Sequence, residues 1–190
     1  MTNAVVTVTD DTSPCLGCGL CCDGTLYDRA KVAPGEESTL EALGLELETV
    51  GIRTYFLQPC RFQSCGRCAN YADRWTVCRT FRCALLRRYQ AGEIGLEETR
   101  ATVKTAIKLI DAVRQNDPSA AIVGGRRRLR RQLAEQVQSG TDQASAGRRL
   151  INIIALDTFL ERWFRNKKTD QVTEEAQTSR DAASQPIAQR

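Results

Sequence analysis

The stretch that decides how this chain is read is Ser13-Pro14-Cys15-Leu16-Gly17-Cys18-Gly19-Leu20-Cys21-Cys22-Asp23-Gly24. Its cysteines are spaced Cys15-x-x-Cys18-x-x-Cys21-Cys22. Gly, Pro and Cys at this density have little helix or strand preference, so the segment reads as a loop folded around something. A two-residue spacer lets two sulfurs from one tight turn reach a common metal or cluster. Gly17 and Gly19 lack a Cβ, so the backbone there can take positive φ and come close to a metal. Three cysteines at this spacing can serve one centre. Cys22 points elsewhere from its neighbour, and either serves a second centre or closes the same one from another side.

Outward from this loop, the whole chain of 190 residues holds 9 Cys, no His and one Met. All of the cysteines lie between Cys15 and Cys83. The missing histidine excludes a Cys₂His₂ finger, Ser-His-Asp or Cys-His catalysis, and His-ligated haem, copper or facial-triad iron. A metal site here must be thiolate-based. Nine is an odd number, and no basic and apolar leader opens the sequence, so a reduced, cytoplasmic chain is expected and a disulfide scaffold is the weaker reading. No run approaches the roughly 18 apolar residues that would span a bilayer, so no membrane association is expected.

The second cysteine group is Cys60, Cys65, Cys68, Cys78 and Cys83, interleaved with Arg61, Arg67, Arg74, Arg79 and Arg82. Cationic neighbours favour thiolate over thiol and offset the negative charge of a thiolate-ligated centre. The plain alternative is that each arginine pairs with a carboxylate or water at the surface.

The run CLGCGLCC, followed by a C-x-F element and C-x₂-Y-x₂-R-x₃-C-R-x-F-x-C, resembles the CxxCxxCC cysteine-cluster family, the YkgJ-like proteins. The likeness covers roughly residues 13–90. It implies a zinc- or iron-chelating domain with metal ligands at Cys15, Cys18, Cys21, Cys22, Cys60, Cys68, Cys78 and Cys83. The family's Tyr, Arg and Phe positions fall on Tyr71, Arg74, Arg79 and Phe81. Trp75 stands where the family usually has Pro after the Arg, so a local difference in the turn is expected. Cys65 falls outside the eight.

Eight cysteines would satisfy two tetrahedral zinc sites, or one to two iron–sulfur clusters. The three-step series at Cys15, Cys18 and Cys21 is similar to a ferredoxin ligand run but lacks its fourth Cys-Pro. Zinc, iron and an iron–sulfur cluster stay open, because all prefer soft sulfur ligands. In each case the metal would help fold the cysteine-rich half, since the segment between Cys22 and Cys60 has few large apolar residues.

Four regions are expected: an N-terminal extension over 1–12, a cysteine-cluster metal-binding domain over 13–95, a helical region packing on it over 96–168, and a disordered tail over 169–190. The fold class expected is α-rich, with a small α+β arrangement as the alternative: a loop-dominated metal-binding core packed on a C-terminal helical bundle. Pro34-Gly35 predicts a turn, Glu36–Leu43 a short helix stopped near Gly44, and Val50–Leu57 a strand ending at Pro59. Cys83–Tyr89 reads as helical. Val103, Ile107, Ile110 and Val113 form an amphipathic stripe. Asp117-Pro118 predicts an N-cap followed by Pro at the first helical position. Gly124-Gly125 reads as an interruption, after which a helix resumes over Arg126–Gln138 and stops at Gly140. Gly147–Lys168 reads as the most apolar helix.

Net charge is −3 over residues 1–99, +9 over 100–168 and −2 over 169–190. Arg126, Arg127, Arg128, Arg130 and Arg131, backed by Arg148 and Arg149, could neutralise phosphates of a nucleic acid. A solvated helix face is the preferred reading, because no aromatic residue interleaves them. The leading functional expectation is a metal-binding protein with a structural or metal-handling role. An enzyme using an iron–sulfur cluster is the alternative, of redox or methyl-transfer type, since the resemblance extends to flagellin lysine methylases. No other motif for catalysis stands in the chain, and no protein partner can be named.

Overall fold

The computed structural model describes residues 13–140 and 142–165. The expected extension over 1–12 and tail over 169–190 lie outside the described residues.

Period-two patterning and turn residues build a small antiparallel sheet. It comprises β1 (Arg29–Lys31), β2 (Leu47–Val50) and β3 (Arg53–Leu57), in the order β1-β3-β2. Phe56 on β3 pairs with Ala30 on one side and Leu47 on the other, and is fully buried. The short helix α1 (Glu37–Ala42) comes after the Pro34-Gly35 turn and puts Leu40 beside Phe56 in one apolar cluster with Val32, Leu45 and Trp75. The sequence predicts one strand over Val50–Leu57. The structure has instead the end of β2, a Gly51-Ile52 turn and all of β3, because Gly51 takes φ +60° and reverses the chain. A second, two-stranded hairpin joins β4 (Gln63–Ser64) to β5 (Arg67–Cys68).

Beyond the hairpin the chain is helical: α2 (Thr76–Thr80), α3 (Ala84–Gln90), α4 (Leu96–Arg114), α5 (Val123–Ser139) and α6 (Gln143–Trp163), with a 3₁₀ turn over Pro118–Ala121. The described residues are thus about half helical with a small antiparallel sheet, a mixed class in which helix predominates. The stripe on α4 buries Val103, Ile110 and Val113 against Leu129 and Leu133 of α5 and Ile153, Leu156 and Leu160 of α6. Each such side chain contributes about 1.5–3 kcal/mol when withdrawn from water. Asp117 caps as expected, its carboxylate accepting from Ser119 N at 2.9 Å, but the element it caps is a single 3₁₀ turn.

Gly124-Gly125 does not interrupt anything; both lie inside α5. The reason is packing. A Cβ on Gly125 would stand 1.9 Å from Ser119 O, so glycine lets the 3₁₀ turn lie directly on the first turn of the helix. In addition, α6 begins at Gln143 rather than Gly147, so this glycine lies inside the helix.

Two apolar clusters result. The helical one reaches back to Leu20 and Leu26 in and beside the cysteine loop. The other sits under the three-stranded sheet. No described helix is long and apolar enough to cross a membrane.

Candidate functional site

The cysteine loop has no helix or strand; it runs through consecutive turns and bends from residue 14 to 26. Cys18 N donates to Cys15 O at 3.2 Å and Cys22 N to Gly19 O at 2.8 Å, which closes the two tight turns that the spacing anticipates. Gly17 and Gly19 both take positive φ, +83° and +68°. The close approach at Gly19 is to backbone: a Cβ there would lie 2.8 Å from the Cα of Gly66. A Cβ on Gly66 would lie 2.6 Å from Gly17 O. Three glycines therefore seat the tip of the β4–β5 hairpin on the cysteine loop.

That hairpin tip is Cys65-Gly66, both with positive φ, +48° and +75°. Such a pair matches the twist of a two-residue hairpin. It places Cys65 at the exposed tip, where its Sγ accepts from Ser64 Oγ at 3.8 Å, away from the two cavities that collect the other sulfurs. Sequence reasoning missed the role of Gly66, although a Gly after one residue between two short alternating runs is a turn signal.

Three consecutive carbonyls at the end of the loop are held by the helical half. Gly24 O accepts from Val123 N at 2.9 Å, Thr25 O from Arg126 Nη2 at 2.6 Å, and Leu26 O from Arg165 Nη2 at 3.3 Å. Cys60 N donates to Cys22 O at 2.8 Å, tying the second cysteine group to the first. Cys83 caps α3, its Sγ accepting from Leu86 N at 3.4 Å.

Two neighbouring cavities collect the sulfurs. A small one, about 20 Å³, is lined by Cys22, Cys60, Cys68 and Cys78 together with Phe62, Trp75 and Arg74. A larger one, about 310 Å³, is lined by Cys15, Cys18, Cys21 and Cys83, and its wall also includes Cys22, Cys68 and Cys78. Every one of the eight cysteines singled out in the sequence thus lines at least one cavity. All nine are free thiols. Among the described residues, no three Cys, Asp or Glu side chains are closed on a common point in the manner of a formed metal site. The nearest approach of two sulfurs given by a hydrogen bond is Cys21 Sγ to Cys22 Sγ, 3.6 Å.

Burial governs the thiols. It pushes Cys18 and Cys78 up to about 12 and raises Cys60 and Cys83. The hydrogen shared between Cys21 and Cys22 raises Cys21 further and holds Cys22 below the ordinary thiol value. Most of these sulfurs are protonated at neutral pH, and a soft cation entering the cavities would have to displace protons.

Four of the five interleaved arginines, Arg67, Arg74, Arg79 and Arg82, line the larger cavity, and no Asp or Glu lines either cavity. Arg74 stacks on Tyr71, with its guanidinium carbon 3.6 Å from the ring centroid, and donates from Nε to Tyr71 O at 3.0 Å. Arg61 behaves differently. Its Nη1 donates to Leu43 O and Gly44 O at 2.9 and 3.1 Å, satisfying the carbonyls at the end of α1. Trp75, at the position of the expected difference, has φ −55°, within the range that Pro would impose, and its ring is buried edge-on to Phe62.

The basic run on α5 is split by burial. Arg127, Arg128, Arg130 and Arg131 do not share the position of Arg126, which is completely buried. Arg126 donates to Asp157 Oδ1 at 2.9 Å, Ala121 O at 2.6 Å and Thr25 O at 2.6 Å. It is a structural tie and not part of a phosphate-facing patch. Tyr89 and Gln90, from the last turn of α3, also line the larger cavity, and nothing in the local sequence marks them.

Comparison with family models, with curated proteins and with solved structures gave no match.

Proposed function

We propose that this chain is a metal-binding protein that chelates zinc or iron, the iron either as ions or as an iron–sulfur cluster, in a structural or metal-handling role. The ligands would come from Cys15, Cys18, Cys21, Cys22, Cys60, Cys68, Cys78 and Cys83. One observation carries the reading: eight free thiols from segments as far apart as residues 15 and 83 gather around two adjoining cavities whose lining has arginines but no carboxylate. The donor set fits soft cations and not hard ones such as Mg²⁺ or Ca²⁺. The backbone N–H that Leu86 directs at Cys83 Sγ, and the arginines around the larger cavity, suit thiolate ligands that need partial neutralisation. The likeness to the CxxCxxCC cluster proteins supports the same reading, and a reducing compartment such as the cytoplasm suits thiols kept for metal.

The test is anaerobic purification followed by elemental analysis and a UV–visible spectrum. Retained zinc or iron at a stoichiometric level is the expected result. Protein that comes out metal-free and takes up neither metal on reconstitution under reducing conditions overturns the reading. A brown protein whose visible band bleaches on reduction would point to iron–sulfur and to the redox enzyme alternative; a colourless zinc protein removes that alternative.

A further inference from the structure

We propose that the eight thiols form two separate four-sulfur centres, divided between the adjacent residues Cys21 and Cys22. The inference rests on the metal-binding function proposed for the same cysteines. The inner centre is Cys22, Cys60, Cys68 and Cys78. The outer one is Cys15, Cys18, Cys21 and Cys83.

Two observations divide the sulfurs in the same way. The first is the cavities. The small one touches the inner four and none of the outer four, while the outer four line only the larger one. Cys22, Cys68 and Cys78 stand in the wall between the two. The second is packing. Cys18, Cys21 and Cys83 pack against the helical cluster, whereas Cys60 and Cys78 pack against the cluster beneath the sheet. Two centres on two independent cores sit on different rigid supports.

Four thiolates on a divalent ion leave a charge of about −2 per centre, which the guanidinium groups of Arg67, Arg74, Arg79 and Arg82 in the wall of the larger cavity help to offset. The centres also differ in room. A cavity of about 20 Å³ is the size of one water or one ion, so the inner centre takes a single ion. The outer centre opens on about 310 Å³ and includes the exposed Cys15, so it is the accessible one.

The decisive experiment titrates the reduced, metal-free, full-length chain with Co²⁺ alone under anaerobic conditions, following the thiolate-to-cobalt charge-transfer band. The wild type should saturate at two equivalents, the second removed faster by a chelator. Cys60→Ser and Cys83→Ser should each saturate at one equivalent, and the double variant should bind none, while Cys65→Ser keeps two. Saturation of the wild type at one equivalent overturns the division, whatever the variants do. So does loss of both equivalents in each single variant whose far-ultraviolet circular dichroism matches the wild type, because that is the behaviour of a single shared cluster. Failure of the wild type to bind any Co²⁺ overturns instead the metal-binding function itself.

Discussion

Arg126 and Thr25 are 101 positions apart, and the Nη2 of the one donates to the carbonyl of the other at 2.6 Å with both residues buried. Through this bond the first turn of α5 holds the backbone three residues beyond Cys22. Asp157 of α6 supplies the countercharge at 2.9 Å, and Ala121 O takes a further hydrogen. Burial pulls the guanidinium down from its ordinary value, with Asp157 acting against that pull. An arginine stays charged under such a shift.

Replacing Arg126 by Met should therefore destabilise the chain strongly, because it strands two or more buried carbonyls and leaves Asp157 unpaired. Breaking a buried pair costs on the order of 3 kcal/mol. A fall in Tm of roughly 10 °C is expected for a chain of this size. Replacing the exposed Arg128 by Met should change Tm by no more than about 2 °C. Equal effects of the two substitutions in thermal unfolding would contradict the assignment of Arg126 as a structural tie.

The Gly17–Gly19–Gly66 contact makes a second expectation. Gly66→Ala brings a Cβ to 2.6 Å from Gly17 O at a φ of +75°, so the hairpin must move off the cysteine loop. Gly92→Ala has nearly the same φ, +73°, but meets nothing within 4 Å. The second substitution should cost only the left-handed strain, about 1 kcal/mol. The first should cost about 1–3 kcal/mol more, as overpacking does. It should also speed the reaction of the half-buried thiols with a chromogenic disulfide reagent. Equal stabilities and equal thiol reactivities would show that the hairpin does not rest on the loop.

The two glycines at the start of α5 should respond in opposite directions. Alanine at Gly124 meets open space and should stabilise the helix by up to about 1 kcal/mol. Alanine at Gly125 would drive its Cβ into Ser119 O and should destabilise the chain by at least as much. Denaturant midpoints read the difference, and a stabilised Gly125→Ala would show that the 3₁₀ turn does not lie against the helix.

Glu36 links α1 to α2, its carboxylate accepting from Thr76 N at 2.9 Å and Thr76 Oγ1 at 2.7 Å. Burial opposes its ionisation, but the hydrogen bonds from Thr76 outweigh it and lower the carboxyl from 4.5. A lowered folded value means that this contribution is present above the unfolded value and is lost as pH falls through the folded one. Glu36→Gln should be less stable than the wild type at pH 7, by under about 1 kcal/mol because solvent screens the group. The gap should close below about pH 4. A gap that stays unchanged at pH 3 would mean that the carboxylate charge plays no part.

What the sequence determined on its own was local. The turn-rich character of residues 13–24, the capped turn at Asp117, the apolar stripe of α4 and the stop at Gly140 all come from interactions within a few residues. So does the clustering of eight cysteines at specific spacings, since spacing along the chain sets which sulfurs can meet within one turn. Where local signals misled, packing was the cause: Gly124-Gly125 reads as a break, but the Ser119 carbonyl rests where a Cβ of Gly125 would stand, and the helix runs through. The hairpin of β2 and β3 reads as one strand because only Gly51 and Ile52 interrupt an otherwise continuous extended pattern. Only the tertiary structure decided that Arg126 lies inside, although it opens a run of arginines, that Gly66 seats on Gly17, and which cysteines share a cavity. Those relationships join residues tens of positions apart. They are selected by the fit and charge of surfaces that exist only once the chain has folded, and no periodicity along the sequence encodes them.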